Sequence, residues 1–379
     1  MNLDEAPILV FWETTLACQL ACRHCRAQAQ LEPAPGELST DEGRRLISQL
    51  AGFGPRPPVL VMTGGDVMSR PDLFELVEAA QRTGLRVALA PSVTPRLVSG
   101  ALERLRGLGV ISLSLSLDGS SPATHEGIRG VPGHFAATLD ALRLTVSLGF
   151  KVQVNTTVMK GNIHELAATA QVVRDVGATS WEVFFLVKVG RGRDEQELTA
   201  DENEDVAHVL FEASQYGFAV RTVEGPWCRR VASWRQKGQS NGQGGPAAAG
   251  AGDAAAVLGL GPLYHQQSSL LRHLLGPPTS PPQMATAGTR DGKGILFIAH
   301  NGSVYPAGFL PLALGNVRYE DPVAIYRQHP LLQAIRAADF GGKCGRCDYR
   351  GTCGGSRARA FATFGDPLAE DPACAYLPA

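Results

Sequence analysis

The 379-residue chain reads as an α/β protein built on a parallel sheet, and three observations carry that expectation. Strand-like and helix-like stretches alternate from the N-terminus to about residue 220. Most strand stretches are short apolar runs, as expected where helices cover a parallel sheet. The residues with the most chemical character come just after the strands, where ligands gather in parallel α/β folds. Periodicity alone does not choose between a partial barrel and an open sheet.

The elements follow in order. Residues 8–14 form the first strand, and a cysteine-bearing loop leaves its end. Residues 40–53 form a helix capped by Ser39 or Thr40, with Asp41 and Glu42 in the first turn, where the helix dipole favours anions. Residues 58–63 form an apolar strand ending in Gly64-Gly65-Asp66. Residues 71–83 form a helix with Pro71 in its first turn and Gly84 just past its end. A strand at 85–90, a helix at 95–108 and an alternating strand at 110–118 come next. Then follow a helix at 134–148, a strand at 151–158, a helix at 163–176, a strand at 181–187 and a helix at 201–216.

Residues 1–225 make up this first unit, and 226–287 read as a linker. Within the linker, 239–253 is rich in Gly, Ala and polar residues, with nothing to bury, and is expected to lack fixed structure. Residues 257–275 carry apolar side chains, and the Pro-rich 276–282 stiffens the connection. A second unit, 288–379, opens with strands at 294–299 and 302–306 around the turn His300-Asn301-Gly302.

Composition excludes several classes. The formal net charge is −1, too little for a large nucleic-acid footprint. No apolar run approaches the ~20 residues of a membrane helix. The acidic N-terminus is not a signal peptide. The chain has 8 cysteines in short clusters, which without a secretory signal favours metal or redox sites over disulfides. A cytoplasmic, oxygen-sensitive protein is expected, with no nucleic-acid or membrane partner.

Cys18, Cys22 and Cys25 are spaced C-x3-C-x2-C. Three thiolates on one loop hold three corners of an iron–sulfur cubane and leave one iron open, whereas closed electron-carrying clusters take four Cys. An open coordination position is where metal chemistry occurs. The plainer readings are a zinc knuckle or incidental thiols. Zinc wants a fourth ligand, and His24 sits awkwardly between Cys22 and Cys25.

This loop resembles the signature of the radical S-adenosylmethionine (SAM) superfamily. The resemblance implies a partial (β/α)6 barrel. It implies that Cys18, Cys22 and Cys25 ligate a [4Fe–4S] cluster, that SAM chelates the open iron, and that His24 lies near the adenine. One electron, from a donor such as flavodoxin or ferredoxin, then cleaves SAM to a 5′-deoxyadenosyl radical that takes hydrogen from substrate.

Other motifs extend the resemblance. Gly64-Gly65-Asp66 is similar to the family's GGE motif, where bared backbone and a carboxylate meet the SAM amino group; glycine permits the close approach. An ordinary strand–helix turn is the plainer reading. Ser114, Ser116 and Asp118 alternate along one strand, and the resemblance places Ser116 and Asp118 beside the SAM carboxylate and ribose. Arg129, in His125-Glu-Gly-Ile-Arg-Gly130, is implied to pair with that carboxylate, a role suited to a guanidinium. Asn155 either touches the ribose or is a core Asn.

Cys344, Cys347 and Cys353 are spaced C-x2-C-x5-C, and Cys374 follows. This resembles the SPASM or twitch extension of radical SAM enzymes. It implies one closed auxiliary [4Fe–4S] cluster with those four ligands; a four-Cys zinc site is the alternative. Arg357 and Arg359 either fix an anionic substrate or form a solvated helix face. Cys228 stands alone as a small semi-buried residue or as a hydrogen donor over the barrel mouth. The motifs look most like the haem and haem d1 branch, implying oxidative modification of a tetrapyrrole side chain. A ribosomally made peptide is the alternative substrate. A non-catalytic iron–sulfur or zinc protein is the rival class, and a SAM-binding relative without turnover is a third reading.

Overall fold

The computed structural model describes residues 2–240 and 260–378. From residue 241 onward, the low-complexity stretch expected at 239–253 lies outside them. Seven parallel strands run in sequence order: β1 (Leu9–Glu13), β2 (Val59–Thr63), β3 (Val87–Leu89), β4 (Ser112–Ser116), β5 (Lys151–Val158), β6 (Ser180–Phe185) and β7 (Ala219–Val223). The expected parallel α/β architecture is therefore present. On the other flank of β1, β8 (Ile295–Ile298) adds in parallel, and β9 (Ser303–Tyr305) and β10 (Gly315–Asn316) continue antiparallel. The expected hairpin around His300 is β8–β9. It joins the barrel sheet, so residues 288–379 share their sheet with residues 1–225.

Alternation along each strand sorts the side chains. Val10, Trp12, Leu60, Met62, Leu113, Leu115, Val152, Val154, Trp181 and Val183 are at most 1 % exposed and make up the core under the helices. Burying each such side chain contributes about 1.5–3 kcal/mol. The intervening residues, among them Glu13, Ser114, Ser116, Gln153, Asn155, Thr157 and Glu182, occupy the concave face and are mostly polar.

The helices match the sequence signals. α1 (Thr40–Ala51) begins with a full capping box between Ser39 and Glu42, which satisfies otherwise orphaned N–H groups. α2 (Leu73–Arg82), α3 (Ser99–Gly107), α5 (His134–Ser147), α6 (Leu166–Asp175) and α7 (Ala200–Ala213) fall where expected, within a few residues. The elements not anticipated include α4 (Pro122–Arg129), β7, and α8 (Cys228–Ser240). The linker is thus partly regular. α8 and α9 (Pro262–Leu275) place Val231, Ala232, Leu263 and Leu271 in the main core. Four short helices complete the chain: α10 (Pro322–Gln328), α11 (Pro330–Ala337), α12 (Gly342–Arg346) and α13 (Arg357–Phe364).

Candidate active site

The cysteine loop leaves the C-terminal end of β1 and is stitched to the end of β2. Gly65 N–H donates to Thr15 O at 2.7 Å, and Asp66 N–H to Ala17 O at 2.7 Å. Cys18 N–H donates to Gln30 O at 2.7 Å, closing the loop on itself. A Cβ on Gly64 would lie 2.6 Å from Thr15 O, and one on Gly65 2.6 Å from the carbonyls of Leu16 and Ala17. The close approach that these glycines permit is therefore to the cysteine loop itself. Glu37 reinforces it, since Oε1 accepts from Thr15 Oγ1, Leu16 N–H and Ala34 N–H at 2.8–2.9 Å.

Asp66 is fully buried. Its oxygens accept from Thr94 Oγ1 at 2.8 Å, Met68 N–H at 3.1 Å and Ser92 N–H at 3.3 Å. Burial raises its pKa, against these hydrogen bonds. The carboxylate knits the ends of β2 and β3 beneath the loop.

The three thiols are free, with Cys18 and Cys22 buried and Cys25 half-buried, and they pack with Leu20, Ala29 and Val131. Leu20 N–H reaches Cys18 Sγ at 3.4 Å, and Arg129 Nη1 reaches Cys22 Sγ at 3.5 Å. Burial pushes the Cys18 thiol up; a metal cluster reverses that balance by stabilising the thiolate.

Asp118 joins the loop to β4. Its Oδ2 lies 2.6 Å from Arg129 Nη2 and 3.2 Å from His24 Nε2, and Oδ1 accepts from Thr157 N–H at 2.8 Å. Burial alone would raise this carboxyl, but the charges of Arg129 and His24 hold it far below the usual range. Behind it runs a relay. Asp118 N–H donates to His125 Nδ1 at 3.1 Å, His125 Nε2 lies 2.8 Å from His134 Nδ1, and His134 Nε2 lies 3.0 Å from Val93 O. The peptide donor at one end and the carbonyl at the other assign both tautomers: each ring carries its proton on Nε2. Burial, then the Arg129 charge, depresses His125 to about 3, and the same causes lower His134, so both are neutral near pH 7.

The loop after β6 closes over the cysteines. Arg191 Nε donates to Cys22 O at 2.9 Å and Nη1 to Ala29 O at 3.0 Å. Gly190, at φ 56°, is pressed so close that a Cβ would fall 2.3 Å from Arg26 O. Sequence reasoning missed this clamp; the signal was the run Gly190-Arg191-Gly192-Arg193 after the sixth strand. It also missed Glu13, whose buried carboxylate takes Arg26 Nη2 at 2.7 Å and His300 Nδ1 at 3.1 Å.

Among the described residues, three buried nitrogens around the loop have no hydrogen-bond partner: His24 Nδ1, Arg129 Nε and Arg191 Nη2. Unpaired buried polar atoms are costly. Together with three clustered free thiols, they fit a bound group that brings its own polar atoms. Of the other predicted residues, Ser116 and Asn155 stand opposite each other on β4 and β5. Asn155 Oδ1 accepts from Gln153 Nε2 at 2.9 Å.

The second cysteine group also converges. Cys344, Cys347, Cys353 and Cys374 line one small cavity with Gly354, Gly355 and Tyr376. Asp371 N–H donates to Cys344 Sγ at 3.3 Å and Tyr349 N–H to Cys347 Sγ at 3.4 Å. Main-chain N–H groups of Gly355 and Tyr376 serve Cys353 and Cys374. Burial pushes these last two thiols to about 12 and about 11. Among the described residues, no three His, Cys, Asp or Glu converge as a single-ion site.

One expectation is corrected. Arg357 and Arg359 do not form a solvated helix face, because both are buried braces. Arg357 Nη1 donates to Pro367 O and Ala369 O at 3.0 and 2.6 Å. Arg359 donates to Glu224 O and Leu186 O, both at 2.9 Å, tying α13 to the ends of β6 and β7. Cys228 is 0 % exposed within the hydrophobic core, which fits the small-residue reading.

The profile of the Radical SAM superfamily matches residues 12–173. The AdoMet-dependent heme synthase of Methanosarcina barkeri (strain Fusaro / DSM 804) is 33 % identical, over 99 % of this chain and 98 % of that protein. The pre-heme d1 synthase of Dinoroseobacter shibae (strain DSM 16493 / NCIMB 14021 / DFL 12) is 28 % identical, over 98 % of this chain and 88 % of its own. The crystal structure of Streptococcus suis SuiB bound to S-adenosylmethionine superposes with a TM-score of 0.68 at 14 % identity, covering 98 % of this chain and 78 % of that one. That last likeness is one of fold.

Proposed function

This chain belongs to the radical SAM superfamily, and we propose that it carries out an oxidative modification of a tetrapyrrole side chain. The superfamily's cofactors are a [4Fe–4S] cluster and SAM. When bound, they supply reductive cleavage of SAM and a 5′-deoxyadenosyl radical that takes hydrogen from an unreactive C–H bond.

The residues of this chain divide the remaining work. Cys18, Cys22 and Cys25 would hold the cluster, on a loop fixed by Gly64, Gly65, Asp66 and Glu37. Arg129 and His24 stand beside it with unpaired nitrogens, suited to the carboxylate and adenine of SAM. Asp118 fixes both side chains by its charge. Ser116 and Asn155 present polar groups toward the ribose. Cys344, Cys347, Cys353 and Cys374 would hold one auxiliary [4Fe–4S] cluster, suited to passing on the electron that an oxidative reaction releases.

The observation that carries the chemistry is the convergence of three free thiols with unpaired buried donors at the end of a parallel sheet. The observation that favours a tetrapyrrole is the relatedness, over nearly the full chain, to proteins named for haem and haem d1 synthesis. An acidic flavodoxin or ferredoxin is the fitting electron donor, and a reducing cytoplasm the fitting compartment. Among the described residues, no helix is long and apolar enough to cross a membrane.

The test is an anaerobic assay of the reconstituted protein with SAM, a reductant, and either iron-loaded tetrapyrroles bearing propionates or candidate peptides. Mass loss from a tetrapyrrole side chain is the expected result. Turnover of a peptide alone would overturn the substrate assignment and leave the radical chemistry standing.

A further inference from the structure

We infer that Arg221, on the concave face of β7 opposite Glu182, is the residue that binds a side-chain carboxylate of the substrate. This rests on the tetrapyrrole reading above. The backbone register lines up four polar residues in one row across the sheet: Ser116 opposite Asn155, Asn155 opposite Glu182, and Glu182 opposite Arg221. Their neighbours Trp181, Val183 and Val220 are at most 2 % exposed and belong to the core on the other side. Side chains alternate along a strand, so Glu182 and Arg221 face the concave surface with Ser116 and Asn155.

The row is wired internally. Gln153 Nε2 donates to Asn155 Oδ1 at 2.9 Å and to Glu182 Oε2 at 2.7 Å. Burial raises the Glu182 pKa and the charge of Arg221 lowers it, so carboxylate and guanidinium sense each other.

Four arginines that touch the cysteine loop or the strand ends are committed. Arg26 is held by Glu13, Arg129 by Asp118, Arg191 by main-chain carbonyls, and Arg359 by the carbonyls of Leu186 and Glu224. Arg221 is exposed and has no hydrogen bond or ion pair among the described residues. An uncommitted planar fork at the end of a polar row suits bidentate capture of a carboxylate. Four strands at about 4.8 Å spacing put Arg221 roughly 14 Å of sheet from Ser116. That is a fitting reach for a macrocycle whose reacting edge lies near SAM while another of its carboxylates is anchored.

The experiment is anaerobic fluorescence titration of the reconstituted protein with coproporphyrin III, which carries four carboxylates, and with its tetramethyl ester in the same detergent. Wild type, Arg221→Ala, Arg221→Lys and Glu182→Gln are compared after iron content and thermal midpoint show all four to be folded. The expected result is at least tenfold weaker coproporphyrin binding by Arg221→Ala, a smaller loss in Arg221→Lys and Glu182→Gln, and equally weak ester binding by all four proteins. Equal coproporphyrin affinity in wild type and Arg221→Ala overturns this assignment and leaves the tetrapyrrole reading intact. Absence of coproporphyrin binding by wild type overturns both.

Discussion

Arg129 Nη2 lies 2.6 Å from Asp118 Oδ2 while Nη1 of the same guanidinium lies 3.5 Å from Cys22 Sγ. One buried arginine thus links the end of β4 to the cysteine loop. Asp118→Ala leaves that guanidinium without its counter-charge, and breaking such a buried pair costs about 3–5 kcal/mol. The variant is expected to melt well below wild type and to lose iron from the first site. Unchanged melting and iron content would show the pair to be dispensable.

The His125–His134 relay predicts a pH dependence. His125 has a pKa of about 3 in the fold against an ordinary 6.5, so between these values the unfolded chain binds the extra proton. Stability is full above about pH 6.5 and falls as pH drops toward 3. His125→Phe should flatten the slope of the denaturant midpoint between pH 6.5 and 4.5, at the cost of a lower plateau. An unchanged slope would show that this histidine does not set it.

Gly65→Ala should expel the cysteine loop from its seat, because the added methyl meets two carbonyls at 2.6 Å. Reconstituted iron should fall by about half, from about eight to about four atoms per chain. Gly100→Ala is the control. That glycine lies in α3 with open space around it, and the change should stabilise by up to about 1 kcal/mol.

Arg359→Ala removes donors from the Leu186 and Glu224 carbonyls and should cost about 2–4 kcal/mol. Because the same side chain ties α13 to the barrel, the auxiliary cluster should become labile first. Electron paramagnetic resonance of the reduced protein would show its signal lost before that of the first cluster.

Much of this was legible in the sequence, because local chemistry dominated there. Apolar runs ending in Thr63 or Asp118 marked strands that tertiary packing merely trimmed, and Ser39 with Glu42 marked a helix start that the fold kept. That each cysteine group converges was legible, because closely spaced thiols without a secretory signal point to a shared site. β7 was not: Ala219–Val223 contains Arg221 and Thr222 and carries too little apolar signal. α4 was hidden by Gly127 within a short polar stretch. Residue roles were harder still. Arg357 and Arg359 read as free cations, but Arg357 turns back onto the carbonyls of Pro367 and Ala369 past the end of its helix, and Arg359 satisfies carbonyls of Leu186 and Glu224, far away in the chain. Gly64 and Gly65 announced a close approach without saying to what.

The central claim is that the loop of Cys18, Cys22 and Cys25 supports radical SAM chemistry. Its most direct test is 5′-deoxyadenosine formation by the anaerobically reconstituted, reduced protein with SAM, beside the Cys18/Cys22/Cys25→Ala variant. Deoxyadenosine is expected from wild type alone, with about eight iron atoms per chain against about four in the variant. A wild type that binds only zinc, or deoxyadenosine from both proteins alike, would contradict it.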